Sequence, residues 1–196
     1  MSEDAASAPG ALPGPDGLAR CPWALGAPDY LAYHDQEWGR PVRDDAGMFE
    51  RLSLEAFQSG LSWLIILRKR PAFRAAFAGF EVPAVAAFDD ADVARLLANP
   101  GIVRNRAKIE ATISNARRIV EAVPEGLDAL LWSYVPARHR RPRRIADVAA
   151  TSPESIAMAR ELRKRGLKFV GPTTAYALMQ ATGIIDDHIA TCWRAV

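Results

Sequence analysis

LRKRGLKFVGPTTAYALMQATG, running from Leu162 to Gly183, is the stretch that decides the fold. A basic helix halts at Gly166, the four residues Leu167 to Val170 turn, Gly171 closes the turn, and Pro172 opens an apolar helix. Proline suits that first helical position because its missing amide would have no partner there anyway. The pattern reads as a helix-hairpin-helix. Gly166 and Gly171 permit the tight backbone, and the free amides at the start of the second helix suit a DNA phosphate whatever the base sequence. A plain αα-hairpin packed in the core has the same outline. Lys168 and the flanking basic residues favour the DNA reading.

The rest of the chain carries the same three-to-four-residue apolar spacing, with no sustained alternation of the kind strands need, so the fold class is all-α. Asp44 or Asp45 is placed to cap a helix burying Met48, Phe49, Leu52 and Ala56 and ending near Gly60. Ser62 caps a short helix Trp63 to Leu67, and Pro71 restarts a turn carrying Phe73 and Phe77. Asp90 to Ala98, Lys108 to Val123, Gly126 to Tyr134 and a helix opened by Ser152 and Pro153 and running to Arg165 complete the set, with 136 to 144 a loop. Residues 1–20, made of Ala, Gly, Pro and Asp without periodicity, read as a disordered leader ahead of a domain over 21–196. With 196 residues and 49% hydrophobic content, the chain can bury a proper core as one domain or two closely packed halves.

No apolar run is long enough for a membrane span and no signal peptide is present, which points to the cytoplasm. The net charge of +2 says little by itself. Its distribution says more, because basic residues gather at Arg68, Lys69, Arg70 and Arg74, at Arg104, Arg106 and Lys108, at Arg138 to Arg144, and at Arg163 to Lys168. Acidic residues collect over 44–55 and 89–92, an asymmetry that fits a phosphate-facing side.

Two cysteines cannot build a disulfide scaffold or a four-cysteine iron–sulfur cluster. Both lie near histidines, in the pairs Cys21 with His34 and His188 with Cys192, a Cys2His2 set for one structural zinc that would join the N- and C-terminal segments. The spacing of His188 and Cys192 puts both on one face of a helical turn. The competing reading makes each cysteine a small core residue. His139, in the arginine-rich loop, reads as solvated rather than as a ligand.

Trp23, Tyr33, Trp38 and Trp63 gather in sequence around one acid, Glu55, which sits in the apolar helical run LSLEAFQ. Aromatics alone favour a core. A carboxylate placed among apolar residues is costly without a partner or a task, and together they suit a pocket for a flipped, electron-poor or cationic base.

The segments CPWALGAPDYLAYHDQEWGRPVRDD, LEAFQSGLSWLIILRKR, GIVRNRAKIEATISNA and LRKRGLKFVGPTTAYALMQATGIIDDHIATC, in this order, closely resemble the DNA-3-methyladenine glycosylase I family from Cys21 to Cys192. The resemblance implies a helix-hairpin-helix glycosylase fold and hydrolytic excision of N3-methyladenine from double-stranded alkylated DNA, in base excision repair. It places zinc on Cys21, His34, His188 and Cys192. It gives Tyr33 and Glu55 hydrogen bonds to the base, Trp63 the stacking role and Trp38 and Trp23 the pocket walls. Leu61 becomes the wedge for the gap left by the flipped nucleotide, and Gly166, Lys168 and Gly171 the DNA contacts. Asp186 is a minor candidate for stabilising the sugar, with capping beside His188 as its alternative. The enzyme is expected to act as a monomer without an obligate protein partner. A lyase would need a pocket lysine, and none lies in the pocket motifs. A zinc hydrolase is disfavoured because protein fills all four metal positions. A zinc-stapled DNA-binding module without catalysis would leave Glu55 idle. The arginine-rich 136–144 loop is peculiar to this protein.

Overall fold

The structure is a computed structural model describing residues 10–194. The chain divides into two compact units, the first built from residues up to Pro41, Val135–Ala150 and Met179 onward, the second from Val42–Tyr134 and Thr151–Leu178. Among the described residues no helix is long and apolar enough to cross a membrane.

The first unit opens with a correction to the all-α reading: β1 (Leu12–Pro13) pairs antiparallel with β2 (Ala19–Arg20), Leu12 opposite Arg20. The expected leader is therefore ordered over residues 10–20, while residues 1–9 lie outside the described residues. Composition misled because the pair is held by a side chain from elsewhere. Arg20, 3% exposed, gives Nη2 to Asp35 Oδ2 at 2.8 Å and also binds Asp16. Asp35 belongs to α1 (Pro28–Gln36), entered through Pro28 at its first position. Residues 182–194 form turns and bends, so His188 and Cys192 do not share a helix as expected. Cys192 N instead closes a turn on Ile189 O at 2.7 Å.

The second unit is helical among its described residues. Asp44 caps α2 (Asp45–Gln58) by accepting from Gly47 N at 2.6 Å. α3 (Trp63–Ala76) runs straight through Pro71, where the sequence predicted a break and restart. Phe73 and Phe57 are both fully buried with ring centroids 4.7 Å apart, a contact that favours helical register beyond Pro71. Phe77 and Phe80 extend this aromatic core at 5.4 Å. Beyond it come α4 (Val82–Ala86), unforeseen from sequence, and α5 (Asp90–Ala98), opened by a capping box between Asp89 and Asp92. The long α6 (Arg106–Ala122) and short α7 (Leu127–Trp132) follow.

Ser152 and Ser155 cap α8 (Pro153–Lys164) reciprocally, and α9 (Pro172–Ala181) begins after the turn Arg165–Gly171. Gly166 takes φ +90°, the left-handed region that only glycine enters freely. Gly171 does not; the second left-handed residue of this turn is Phe169, at φ +56°, which stands 45% exposed beside exposed Lys168.

Candidate active site and metal centre

In the first unit, Cys21 Sγ, a ring nitrogen of His34 and Cys192 Sγ all lie within 4.8 Å of one another, and all three residues are buried. His34 Nε2 stands 3.4 Å from Cys192 Sγ. A tetrahedral zinc with usual bond lengths separates its ligands by about 3.5 Å, so this pair already has the spacing a shared ion imposes. His188 lies beside this group rather than in it, its ring 5.0 Å from that of His34. Its Nε2 is buried without a hydrogen-bond partner among the described residues. An unpaired nitrogen in a buried site costs free energy unless something binds it.

Both histidines are oriented by carboxylates. Asp35 Oδ1 sits 2.8 Å from His34 Nδ1, and Asp186 Oδ1 sits 2.8 Å from His188 Nδ1. Each contact commits Nδ1 and turns Nε2 inward, the arrangement that readies imidazoles for a metal. Burial pushes the Asp35 carboxyl up, but hydrogen bonds from Arg20 and His34 outweigh it and hold the group below its usual range. Asp186 shows the same balance, burial against hydrogen bonds from His188, and its Oδ2 takes Arg141 Nε at 2.7 Å. Its oxygens are thus engaged in seating His188 and the arginine-rich loop. His139 is exposed, as expected, and its Nε2 also lies 2.8 Å from Asp187 Oδ1.

The two sulfurs titrate as a pair. The hydrogen bond from Cys21 lowers the Cys192 thiol to about 4 against the opposing effect of burial, with His34 assisting, while the same contact raises Cys21. Thiolate sulfur together with imidazole nitrogen is the donor chemistry zinc selects.

Trp23 packs edge-on against His34 at 5.3 Å and Trp38 at 5.1 Å, and Trp38 meets His188 at 4.6 Å. Tyr33, 7% exposed, lies 6.4 Å from Trp23. Trp23 and Trp38 therefore rest on the imidazoles, and Tyr33 reaches them through Trp23. Sequence reading missed Gly39 and Gly183. A Cβ at Gly39 would meet His188 Cε1 at 2.7 Å, and one at Gly183 would meet Gly39 O at 2.7 Å. Gly39 also holds φ +76°. Gly39→Ala is expected to cost about 1–3 kcal/mol through strain and displacement of the imidazole, read as a lower midpoint in thermal melts. The signal for it was the Trp38-Gly39 pair close after His34, which spacing alone does not tie to His188.

In the second unit, Glu55 stands on α2 and Trp63 is the first residue of α3, with exposed Leu61 on the turn between them. The Glu55 carboxyl has no hydrogen bond or ion pair among the described residues, and burial pushes it up to about 8. Neighbouring Glu50, 5% exposed, is by contrast neutralised by Arg74 at 2.9 Å with Arg51 and Arg70 nearby. That contrast isolates Glu55 as an acid kept in a desolvating place without a structural counter-ion.

Some members of the basic runs are engaged within the fold. Arg70 and Arg74 serve Glu50, Lys69 binds Pro100 O at 2.9 Å, Lys108 is buried, and Arg165 pairs with Glu125 and Glu161. Lys168 on the turn, Arg138, Arg140 and Arg143 on the loop, and Arg68, Arg104, Arg106, Arg163 and Lys164 are exposed.

A family model described as methyladenine glycosylase matches residues 23–195. The chain is 40% identical to DNA-3-methyladenine glycosylase 1 of Escherichia coli (strain K12), over 89% of this chain and 96% of that protein. A crystal structure of 3-methyladenine DNA glycosylase I superposes with TM-score 0.85 at 41% identity, covering 90% of this chain and all of that one. Another, a variant of such an enzyme in complex with 3-methyladenine, gives TM-score 0.82 at 33% identity over 89% of this chain and 96% of the other.

Proposed function

Because the chain belongs to the methyladenine glycosylase family, we propose that it excises N3-methyladenine from alkylated DNA by hydrolysing the N-glycosidic bond, with Glu55 meeting the methylated base. The observation that carries the role of Glu55 is its unpaired, desolvated carboxyl. Ionising it there is unfavourable unless a cation arrives, and N3-methylation makes adenine cationic. Neutral adenine cannot offset the cost, so the carboxyl discriminates by charge as well as by accepting a hydrogen bond. Tyr33 orients the base, Trp63 stacks on it, and Trp38 and Trp23 line its surroundings, as the family resemblance assigns them.

The chemistry needs little acid assistance. As the bond from the sugar C1′ to the base breaks, its electron pair neutralises the charge on the ring and the base leaves neutral. Water adds its oxygen to C1′ and gives up one proton, leaving an abasic site. No lysine amine is required, so the enzyme is monofunctional.

The donor set of Cys21, His34, Cys192 and His188 fits one structural zinc, supported by the 3.4 Å separation of His34 Nε2 and Cys192 Sγ and by the unpartnered Nε2 of His188. Bound there, the ion would fasten the turns after α9 to α1 and supply no catalysis, since protein side chains fill a tetrahedron. Two buried free thiols suit a reducing cytoplasm.

The turn between α8 and α9 fits a helix-hairpin-helix, with Gly166, Lys168 and Gly171 against phosphates and Leu61 as the wedge in double-stranded DNA. The enzyme works as a monomer. Chromatographic assay of bases freed from methylated duplex DNA tests the whole reading: free 3-methyladenine is expected, and its absence from reactions with folded, zinc-loaded protein would leave only a DNA-binding module.

A further inference from the structure

The two turns assigned to DNA are both held by one helix. Lys108, near the start of α6, is 8% exposed and gives Nζ to Phe57 O at 2.9 Å and Ser59 O at 2.6 Å. Those carbonyls end α2 and lead into Gly60, at φ +83°, and exposed Leu61. A cation on the carbonyl end of a helix satisfies acceptors that the helix leaves open. Two turns further along α6, Asn115, 4% exposed, brackets Lys168: its Oδ1 accepts from Lys168 N at 2.7 Å and its Nδ2 donates to Lys168 O at 3.1 Å. Arg118 adds a bond from Nε to Arg165 O at 3.0 Å and packs where a Cβ on Gly166 would fall.

Seven positions apart on a helix is nearly a whole number of turns, so Lys108 and Asn115 share one face about 10 Å apart along the axis. Burying an ammonium and an amide is costly, and burial pulls the Lys108 amine below its usual range. Core packing alone would be served by apolar side chains at both places. What the polar pair achieves is a fixed distance between two loops far apart in sequence.

We propose that Lys108 and Asn115 are positioning residues that make α6 the spacer between the Leu61 turn and the Gly166–Gly171 turn, holding both ready for one DNA duplex. The inference rests on the functional reading that both turns touch DNA. Neither side chain meets the base; each acts through the backbone of a turn.

The test uses the full chain carrying Lys108→Met, Lys108→Arg or Asn115→Leu. Three quantities are read: the thermal midpoint, kcat and KM on methylated duplex, and affinity for free 3-methyladenine by tryptophan fluorescence. Lys108→Met and Asn115→Leu are expected to lower kcat/KM on duplex roughly ten- to hundredfold, the scale of ångström misplacement. Free-base affinity should stay within about twofold, since the residues that bind the base are untouched. Lys108→Arg, which keeps donors for both carbonyls, should restore most of the loss. Adding Leu61→Ala to Lys108→Met should cost no more than about twofold further, because a released wedge no longer contributes independently. The bonds of Asn115 to the Lys168 backbone are only partly buried, so Asn115→Leu keeps the test open should Lys108→Met fail to fold. Folded variants with wild-type turnover on duplex, or variants losing free-base binding as steeply as turnover, overturn the spacer. If the wild type itself releases no base, the functional reading fails and takes this inference with it.

Discussion

Glu55→Gln lowers the release of 3-methyladenine from duplex DNA by roughly 10- to 100-fold, the loss of about 1.5–3 kcal/mol expected when a charge-assisted contact becomes a neutral one. The pH profile separates this from a general defect. Burial pushes the Glu55 carboxyl from 4.5 up to about 8. In the free enzyme at neutral pH the group is therefore mostly protonated, and the form that attracts a cationic base grows as pH rises. kcat/KM of the wild type should climb with pH up to about 8 and level off above it, whereas the Gln variant should be flat over the same range. Stability runs the other way. A carboxyl whose folded value is raised contributes fully below 4.5 and loses that contribution as pH climbs towards 8. Above that, the Gln variant should melt about 2–4 °C higher than the wild type, the shift that roughly 1 kcal/mol produces in a domain of this size class. A less active protein that is more stable at alkaline pH marks an acid retained for function. A wild-type profile without pH dependence between 6 and 9, read by single-turnover release, would remove Glu55 from the recognition of charge.

The segments whose capping and breaking residues act locally were legible in the sequence. Asp44, the Ser152 box and the restart at Pro172 sit where the sequence placed them, because each depends on residues within one helical turn. Pro71 was misread because its local penalty is overridden by Phe73 packing on Phe57, a contact that no window of sequence contains. The β1–β2 pair escaped for the same reason: Arg20 organises it through Asp35 on another element. At the candidate site, ligand types were readable from composition, since two cysteines and three histidines leave few combinations. The turn geometry of His188 and Cys192 was not, and neither was the steric demand for glycine at position 39. Basic runs were the poorest guide. Charge counted along the chain cannot tell Lys168, exposed on a turn, from Lys108, buried and bonded to two carbonyls, or from Arg74, engaged with Glu50.

Removing metal with a strong chelator is expected to lower the thermal midpoint by far more than any single surface substitution, with one zinc released per chain. Structural zinc in small domains contributes about 10–16 kcal/mol of apparent binding free energy, a magnitude comparable to the whole margin of about 5–15 kcal/mol that keeps a domain folded. The loss should be largest where the donors sit. Without the ion, Cys21, His34, Cys192 and His188 leave buried sulfurs and nitrogens facing one another, and the orphaned Nε2 of His188 becomes an uncompensated cost. Trp23 and Trp38 rest on those imidazoles, so their fluorescence should report the change before the far-ultraviolet signal does. Cys192→Ser should reproduce the effect without chelator, because a hydroxyl is a poor ligand for zinc beside imidazole and thiolate. The order of events distinguishes the roles a metal could have. A structural ion with protein on every side gives activity that falls in step with unfolding, whereas a catalytic ion gives an inactive protein that still melts at its original midpoint. Spectroscopic titration of metal, melting point and base release on the same samples therefore decides whether the cluster of Cys21, His34 and Cys192, with His188 beside it, holds the fold or does chemistry, and the geometry of two carboxylate-oriented histidines beside two buried cysteines predicts the former.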